Sequence, residues 1–186
     1  MTGLRIIGGK VRGFHLKVVP GDSTRPITDM VKEALFDILG HDIEDAVFWD
    51  VFGGTGSVGI EALSRGASFV NFSDKNRNAI NTLKFNLEHT GYTAQSKVIF
   101  GDAFSLLRQK TDRVFDYIYV APPQYKAMWK EAVLIIDDHI DNLVQDGWVI
   151  VQIHPKEYEQ LQLNNLTQFD KRKYGNTLLV FFERKI

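Results

Sequence analysis

The apolar positions of this chain switch between two spacings. Short β-branched and aromatic runs read as strands at 47–50, 69–74, 98–100, 115–120 and 148–153. Between them apolar residues recur at helical spacing over 57–65, over 76–90 (Ile80, Leu83 and Leu87 in register), through Leu106 and Leu107, and over 127–140. Gly66 and Gly91 suit the ends of the first two helices. An earlier helix starts at Thr28, a capping residue, and aligns Val31, Leu35, Ile38 and Leu39. Strict alternation of strand and helix predicts parallel right-handed crossovers and a sheet covered on both faces. The tail breaks the alternation: 169–174 and 177–182 flank Gly175-Asn176 and predict a hairpin, with an antiparallel strand at or near the sheet edge. Residues 4–7 and 14–19, joined through Gly8 to Gly13, predict a second hairpin outside the main fold. The expected class is α/β: one Rossmann-like, mostly parallel doubly wound domain over 28–186, preceded by an N-terminal β-hairpin extension over 1–27.

The strand at 47–50 runs into Gly53-Gly54-Thr55-Gly56-Ser57-Val58-Gly59, where glycines let the backbone approach a ligand closely. Strand, glycine turn and helix N-terminus form the nucleotide corner of an open α/β sheet. Gly54-x-Gly56-x-x-Gly59 also satisfies the dinucleotide fingerprint, with Asp74 twenty residues beyond Gly54. Asp50 tips the balance between the cofactors, with a dinucleotide enzyme and a purely structural turn as the alternatives. A carboxylate at this strand end repels a pyrophosphate, whereas it suits the ammonium and sulfonium of S-adenosylmethionine. The Asp50-x-Phe52-x-Gly54-x-Gly56 order resembles motif I of the class I methyltransferases.

Composition allows one domain with a sizeable core: 186 residues, 44% hydrophobic, with 13 Phe. No apolar run is long enough for a bilayer and no secretory signal is evident, so a cytoplasmic protein is expected. The chain has no cysteine, and its five histidines show no ligand spacing, so no metal is expected. Net charge is only −1, but it is unevenly spread. Arg5, Lys10, Arg12 and Lys17 stand near the N-terminus with no acid among them, and Lys171, Arg172, Lys173, Arg184 and Lys185 face only Glu183 near the C-terminus. Basic ends on an acidic body form a phosphate-facing patch if they meet in space, and otherwise are ordinary solvated termini.

In a doubly wound sheet, ligands sit outside the carboxyl ends of the strands. Asp50, Asp74, Asp102 and Pro122-Pro123 fall at four successive such ends. Asp74 can accept from both ribose hydroxyls, Asp102 from the adenine amino group, and Asp50 sits near the methionine end. Phe52, Gly54, Gly56, Lys75 and Ala103 complete the expected cofactor set.

Further segments are similar to the RsmD-type family of bacterial 16S rRNA guanine-N2 methyltransferases across essentially the whole chain. They are Leu4-Arg5-Ile6-Ile7-Gly8-Gly9, Arg12-Gly13, Arg25-Pro26-x-Thr28-Asp29-x-Val31-Lys32-Glu33-Ala34-Leu35-Phe36, Gly59-Ile60-Glu61-Ala62-Leu63-Ser64-Arg65-Gly66-Ala67 and Tyr174-Gly175-Asn176-Thr177. The resemblance implies methyl transfer from S-adenosylmethionine to an exocyclic guanine amine of 16S rRNA, free or in a small-subunit assembly intermediate. It also implies an RNA-holding N-terminal extension, so Arg5, Lys10, Arg12, Arg25, Lys171, Arg172 and Lys173 are the expected RNA contacts of a monomeric enzyme. One departure stands out. The family carries Asp or Asn, then Pro-Pro, then an aromatic; this chain has Ala121-Pro122-Pro123-Gln124-Tyr125. The side-chain acceptor for the amine is gone at Ala121, and the stacking ring is displaced to Tyr125. Either Gln124 and Tyr125 compensate, or the chain is an RNA-binding protein with weak or lost turnover. A methyltransferase with a different substrate is the third reading.

Overall fold

The computed structural model describes residues 3–21, 26–124 and 126–185. The expected alternation is present as β1 (Val47–Asp50), α2 (Ser57–Ser64), β2 (Phe69–Asp74), α3 (Arg77–Thr90), β3 (Ser96–Phe100), α4 (Ala103–Leu107), β4 (Phe115–Val120), α5 (Met128–Asp138) and β5 (Leu143–Ile153). Ahead of it lies α1 (Asp29–Leu39), capped by the Thr28 hydroxyl accepting from the Val31 N–H. The chain closes with β6 (Leu166–Tyr174) and β7 (Thr177–Arg184). One seven-stranded sheet results, in the order β3-β2-β1-β4-β5-β7-β6.

The first five strands pair in parallel, and β7 runs antiparallel between β5 and β6. Hydrophobicity explains why the last strand in sequence is not the edge. Leu178 to Phe182 are all buried, so β7 needs cover on both faces, while β6 alternates and presents Lys171, Arg172 and Lys173 to solvent. The sheet separates two cores. Phe48, Phe72, Tyr119 and Ile150 face α1, α2 and α3; Trp49, Val51, Val120 and Val151 face α4 and α5.

Two elements differ most from the sequence expectation, beyond shifts of two or three residues at the ends of β3, β6 and β7. β5 starts at Leu143, well before Trp148, because its partner register shifts between Phe115↔Leu143 and Tyr117↔Trp148. The excess takes in Gln145-Asp146-Gly147, with Asp146 at φ 62°, a polar kink that hides the strand from the hydrophobic pattern. The N-terminal hairpin is the other. Its arms are joined by one bridge, Arg5↔His15, with backbone hydrogen bonds from Ile6 to Phe14, Gly13 to Ile6 and Leu16 to Leu4, and they pack on the main fold instead of standing outside it. Ile6 and Leu16 are buried in the core beside α1 and α2. Other donors of the hairpin turn to the main fold: the Ile7 and Gly8 N–H groups donate to the Glu61 carboxylate at 3.0 and 2.8 Å, and Lys10 N–H donates to the Ser64 carbonyl at 2.8 Å. Gly9, at φ +74°, is needed for this approach, since a Cβ there falls 1.9 Å from the Ser64 oxygen.

Glu61 also pairs with Lys32 from α1 at 3.3 Å and with Arg65 at 2.9 Å. Both Glu61 and Lys32 are wholly buried, and Lys32 donates further to the Arg5 carbonyl and the Ser57 hydroxyl. Burial pulls the Lys32 pKa down, against the Glu61 charge that raises it. One carboxylate thus ties the extension, α1 and α2 together. Glu61→Gln leaves the Lys32 charge uncompensated, so urea unfolding is expected to show a loss of about 3–5 kcal/mol. A loss below about 1 kcal/mol, the range of a surface pair, would show that the network does not hold the extension.

Candidate active site

The carboxyl ends of β1 to β5 open into one cleft of about 970 Å³. Its floor is the glycine turn after β1. Gly53 N–H donates to the Ser73 carbonyl at 2.8 Å and Gly54 N–H to Asp74 at 3.0 Å, so the turn hangs on β2. Gly56 opens α2 at φ 81°, where a side chain is strained and its Cβ would meet Leu83 at 2.3 Å. Gly56 therefore shapes the turn from behind, while Gly54 lines the cleft.

Asp50 is the unusual group. It is 2% exposed, and one carboxyl oxygen accepts from Gly59 N–H at 3.3 Å. The other oxygen is buried and has no hydrogen-bond partner among the described residues. Burial pushes its pKa up to about 8, only partly opposed by the Gly59 bond and reinforced by the Asp74 charge. A cationic ligand group in the cleft would supply the missing partner and draw the carboxyl to its ionised form.

The other expected cofactor residues surround this point. Asp74 accepts from Gly54 N–H with one oxygen and from Asn76 N–H at 2.8 Å with the other, which fixes its carboxylate at the cleft wall. Phe52, Lys75, Asp102 and Ala103 also line the cleft. Asp102 has a structural duty as well: it caps α4, accepting from the Ser105 N–H and hydroxyl at 2.9 and 3.1 Å, and the N–H bond lowers its pKa. At the far side stand Ala121, Pro122, Pro123 and Gln124, the last exposed. Tyr125 and Arg25 lie outside the described residues.

Some cleft residues escaped the sequence pattern. Val18, Val19, Pro26 and Ile27 bring the extension to the rim, and Asn86 fixes it there by donating to the Lys17 and Thr55 carbonyls. Tyr119, Gln152 and Thr177 also line the cleft. Tyr119 reads as core in its strand. Gln152, the one polar residue inside the run 148–153, was the available signal.

The expected RNA contacts do not form a single cluster. Lys10 and Arg12 are exposed on the hairpin, and Arg5 pairs with Asp29 at 3.0 Å. Lys171 to Lys173 lie on the far edge strand, and strand alternation divides them. Arg172 opposes Leu179 on the hairpin's side of the sheet, while Lys171 and Lys173 oppose Val180 and Leu178 on the other. Arg172 is also paired to Asp170 at 2.8 Å. Among the described residues no acid or histidine cluster suits a metal, and no helix is long and apolar enough to cross a membrane.

The Asp50 pKa carries a stability signature. Its folded value lies above the unfolded one, so its stabilising contribution is complete below about pH 4 and is lost as pH rises through about 8. Between pH 5 and 7 the ligand-free protein is expected to lose on the order of 1 kcal/mol per pH unit relative to Asp50→Asn. Urea unfolding at three pH values measures the difference; parallel profiles would contradict it.

Residues 4–183 match the family model described as conserved hypothetical protein 95. The ribosomal RNA small subunit methyltransferase D of Escherichia coli K12 is 35% identical over 146 residues, 78% of this chain and 69% of that protein. YlbH of Bacillus subtilis, provisionally named an rRNA methyltransferase, is 35% identical over 185 residues, covering 98% of this chain and all of the relative. Among solved structures, Escherichia coli yhhF, provisionally described as a methyltransferase, superposes with a TM-score of 0.85 at 29% identity over 98% of both chains. The fold is the Rossmann-like class I methyltransferase fold expected from the sequence, and the chain belongs to the RsmD-type family of rRNA methyltransferases.

Proposed function

We propose that this protein transfers a methyl group from S-adenosylmethionine to the exocyclic N2 amine of a guanine in 16S rRNA, acting as a cytoplasmic monomer on a small-subunit assembly intermediate. The buried, unpartnered oxygen of Asp50 beside the glycine turn carries the reading. It calls for a cationic donor at the methionine end, which S-adenosylmethionine has and a dinucleotide lacks. The names of the relatives support the rRNA substrate.

S-adenosylmethionine, when bound, supplies an electrophilic methyl group. Asp50 holds the ammonium, Asp74 accepts from the ribose hydroxyls, and Asp102, its other oxygen committed to the α4 cap, accepts from the adenine amine. Phe52, Gly54, Lys75 and Ala103 wall this half of the cleft. At the other half, the Pro122 carbonyl accepts from the guanine amine, whose lone pair is otherwise delocalised into the ring. Acceptance favours the pyramidal nitrogen as positive charge develops, and the rest of the catalysis is proximity. Tyr125 stacks on the presented base. Lys10, Arg12 and Arg172 engage phosphates from one side of the sheet, with Arg5, Arg25, Lys171 and Lys173 extending the contact.

A second reading has its own observation. Ala121 offers no side-chain acceptor, which fits an RNA-binding protein with weak or lost turnover. Labelled methyl transfer to small-subunit particles lacking the modification, followed by nucleoside digestion, separates the two. N2-methylguanosine in 16S rRNA is the expected product, and Asp74→Ala is expected to lose about 1.5–3 kcal/mol of cofactor affinity. Label in another nucleoside would overturn the guanine-amine assignment. S-adenosylmethionine binding without transfer by either wild type or Ala121→Asn would favour the second reading.

A further inference from the structure

The carboxyl ends of β4 and β5 lie side by side at the substrate half of the cleft. Their register pairs Tyr119 with Ile150 and Val120 with Val151, so continuing it brings Ala121 beside Gln152. In parallel strands such neighbours share a face, here the face of Tyr119 and Ile150. Both line the cleft. Ala121, Pro122 and Pro123 contribute no side-chain hydrogen-bonding group, whereas Gln152 contributes a carboxamide.

That carboxamide is held. The hydroxyl of Tyr119, itself 2% exposed, donates to Gln152 Oε1. Burial, with the Asp50 charge behind it, keeps the Tyr119 phenol well above its ordinary pKa, so the hydroxyl stays a donor. A carbonyl-type oxygen has two lone pairs, and Tyr119 occupies one. Gln124 lacks this support: it is exposed and sits on the loop after β4, while Gln152 is carried by a strand inside the sheet.

We propose that Gln152 reads the substrate base, its Oε1 accepting one N–H of the exocyclic amine while the Pro122 carbonyl accepts the other, and that Tyr119 is the positioning residue that holds it. The inference rests on the reading of this cleft as a base-amine methylation site. It assigns to β5 the side-chain acceptor that the end of β4 does not provide.

Single-turnover methyl transfer to unmodified small-subunit particles, with S-adenosylmethionine affinity measured separately by calorimetry, tests it. Gln152→Ala is expected to slow transfer by about a hundredfold or more. Its cofactor affinity should stay within about threefold of wild type, a change of under 1 kcal/mol. Gln152→Glu keeps both the acceptor and the Tyr119 bond and should retain at least about a tenth of the rate; Tyr119→Phe, which preserves the packed ring, should lose about tenfold, the worth of one hydrogen bond. A wild-type rate in Gln152→Ala would overturn the inference while leaving the proposed function intact. An equal fall in its cofactor affinity, or a Gln152→Glu as slow as Gln152→Ala, would overturn it as well, assigning the side chain to the cofactor or to a donor role. Absence of transfer by wild type itself would overturn the proposed function, and this inference with it.

Discussion

A carboxyl group buried without a full set of partners is the constraint from which the rest of this site follows. Asp50 ends β1, flanked by β2 and β4, and the sheet and the two helical layers keep water from it. Gly59 satisfies one oxygen and nothing described satisfies the other. Such a group costs stability in the empty protein, and an apolar or amide side chain would pack there more cheaply. Its arrangement makes sense as half of an interaction completed by a cation in the cleft. The raised pKa is the same fact in another form, since burial favours the neutral carboxyl until a positive charge arrives.

Another buried carboxylate, Glu61, answers a different demand. It stands on α2, the helix that begins at the glycine turn, and it is fully satisfied by Lys32, Arg65 and two backbone N–H groups. Through it the N-terminal hairpin is fixed to the helix that shapes the cofactor floor. Asn86 adds a link from α3 to Lys17 and to Thr55 within the turn. The extension is therefore part of the cleft's architecture: its Val18 and Val19 reach the rim, while Lys10 and Arg12 stay exposed.

Much of this was legible in the sequence, because strand alternation and the residues after each strand obey local rules. The runs at 47–50, 69–74 and 115–120 became strands with those bounds, and Asp50, Asp74 and Asp102 gather at one cleft because parallel crossovers align strand ends. What escaped depends on contacts distant in sequence. The N-terminal arms pack on the main fold because Glu61, more than fifty residues away, takes the Ile7 and Gly8 donors. Lys171, Arg172 and Lys173 look like one basic run, but a strand sends neighbours to opposite faces. Gln152 reads as a polar interruption of an apolar strand until register sets it beside Ala121 and the Tyr119 hydroxyl finds it. Asp102 shows a local rule and a site role sharing one side chain, as cleft wall and helix cap.

The most direct measurement is calorimetric titration at pH 7 with S-adenosylmethionine and with NAD, repeated in buffers of different ionisation enthalpy. If the cleft is built around Asp50 for a cationic cofactor, S-adenosylmethionine binds and releases close to one proton, because a carboxyl with a pKa of about 8 ionises against the incoming ammonium. That release disappears in Asp50→Asn, and NAD gives no binding heat. Binding of NAD with no response to S-adenosylmethionine, or S-adenosylmethionine binding with no proton release, would contradict the account.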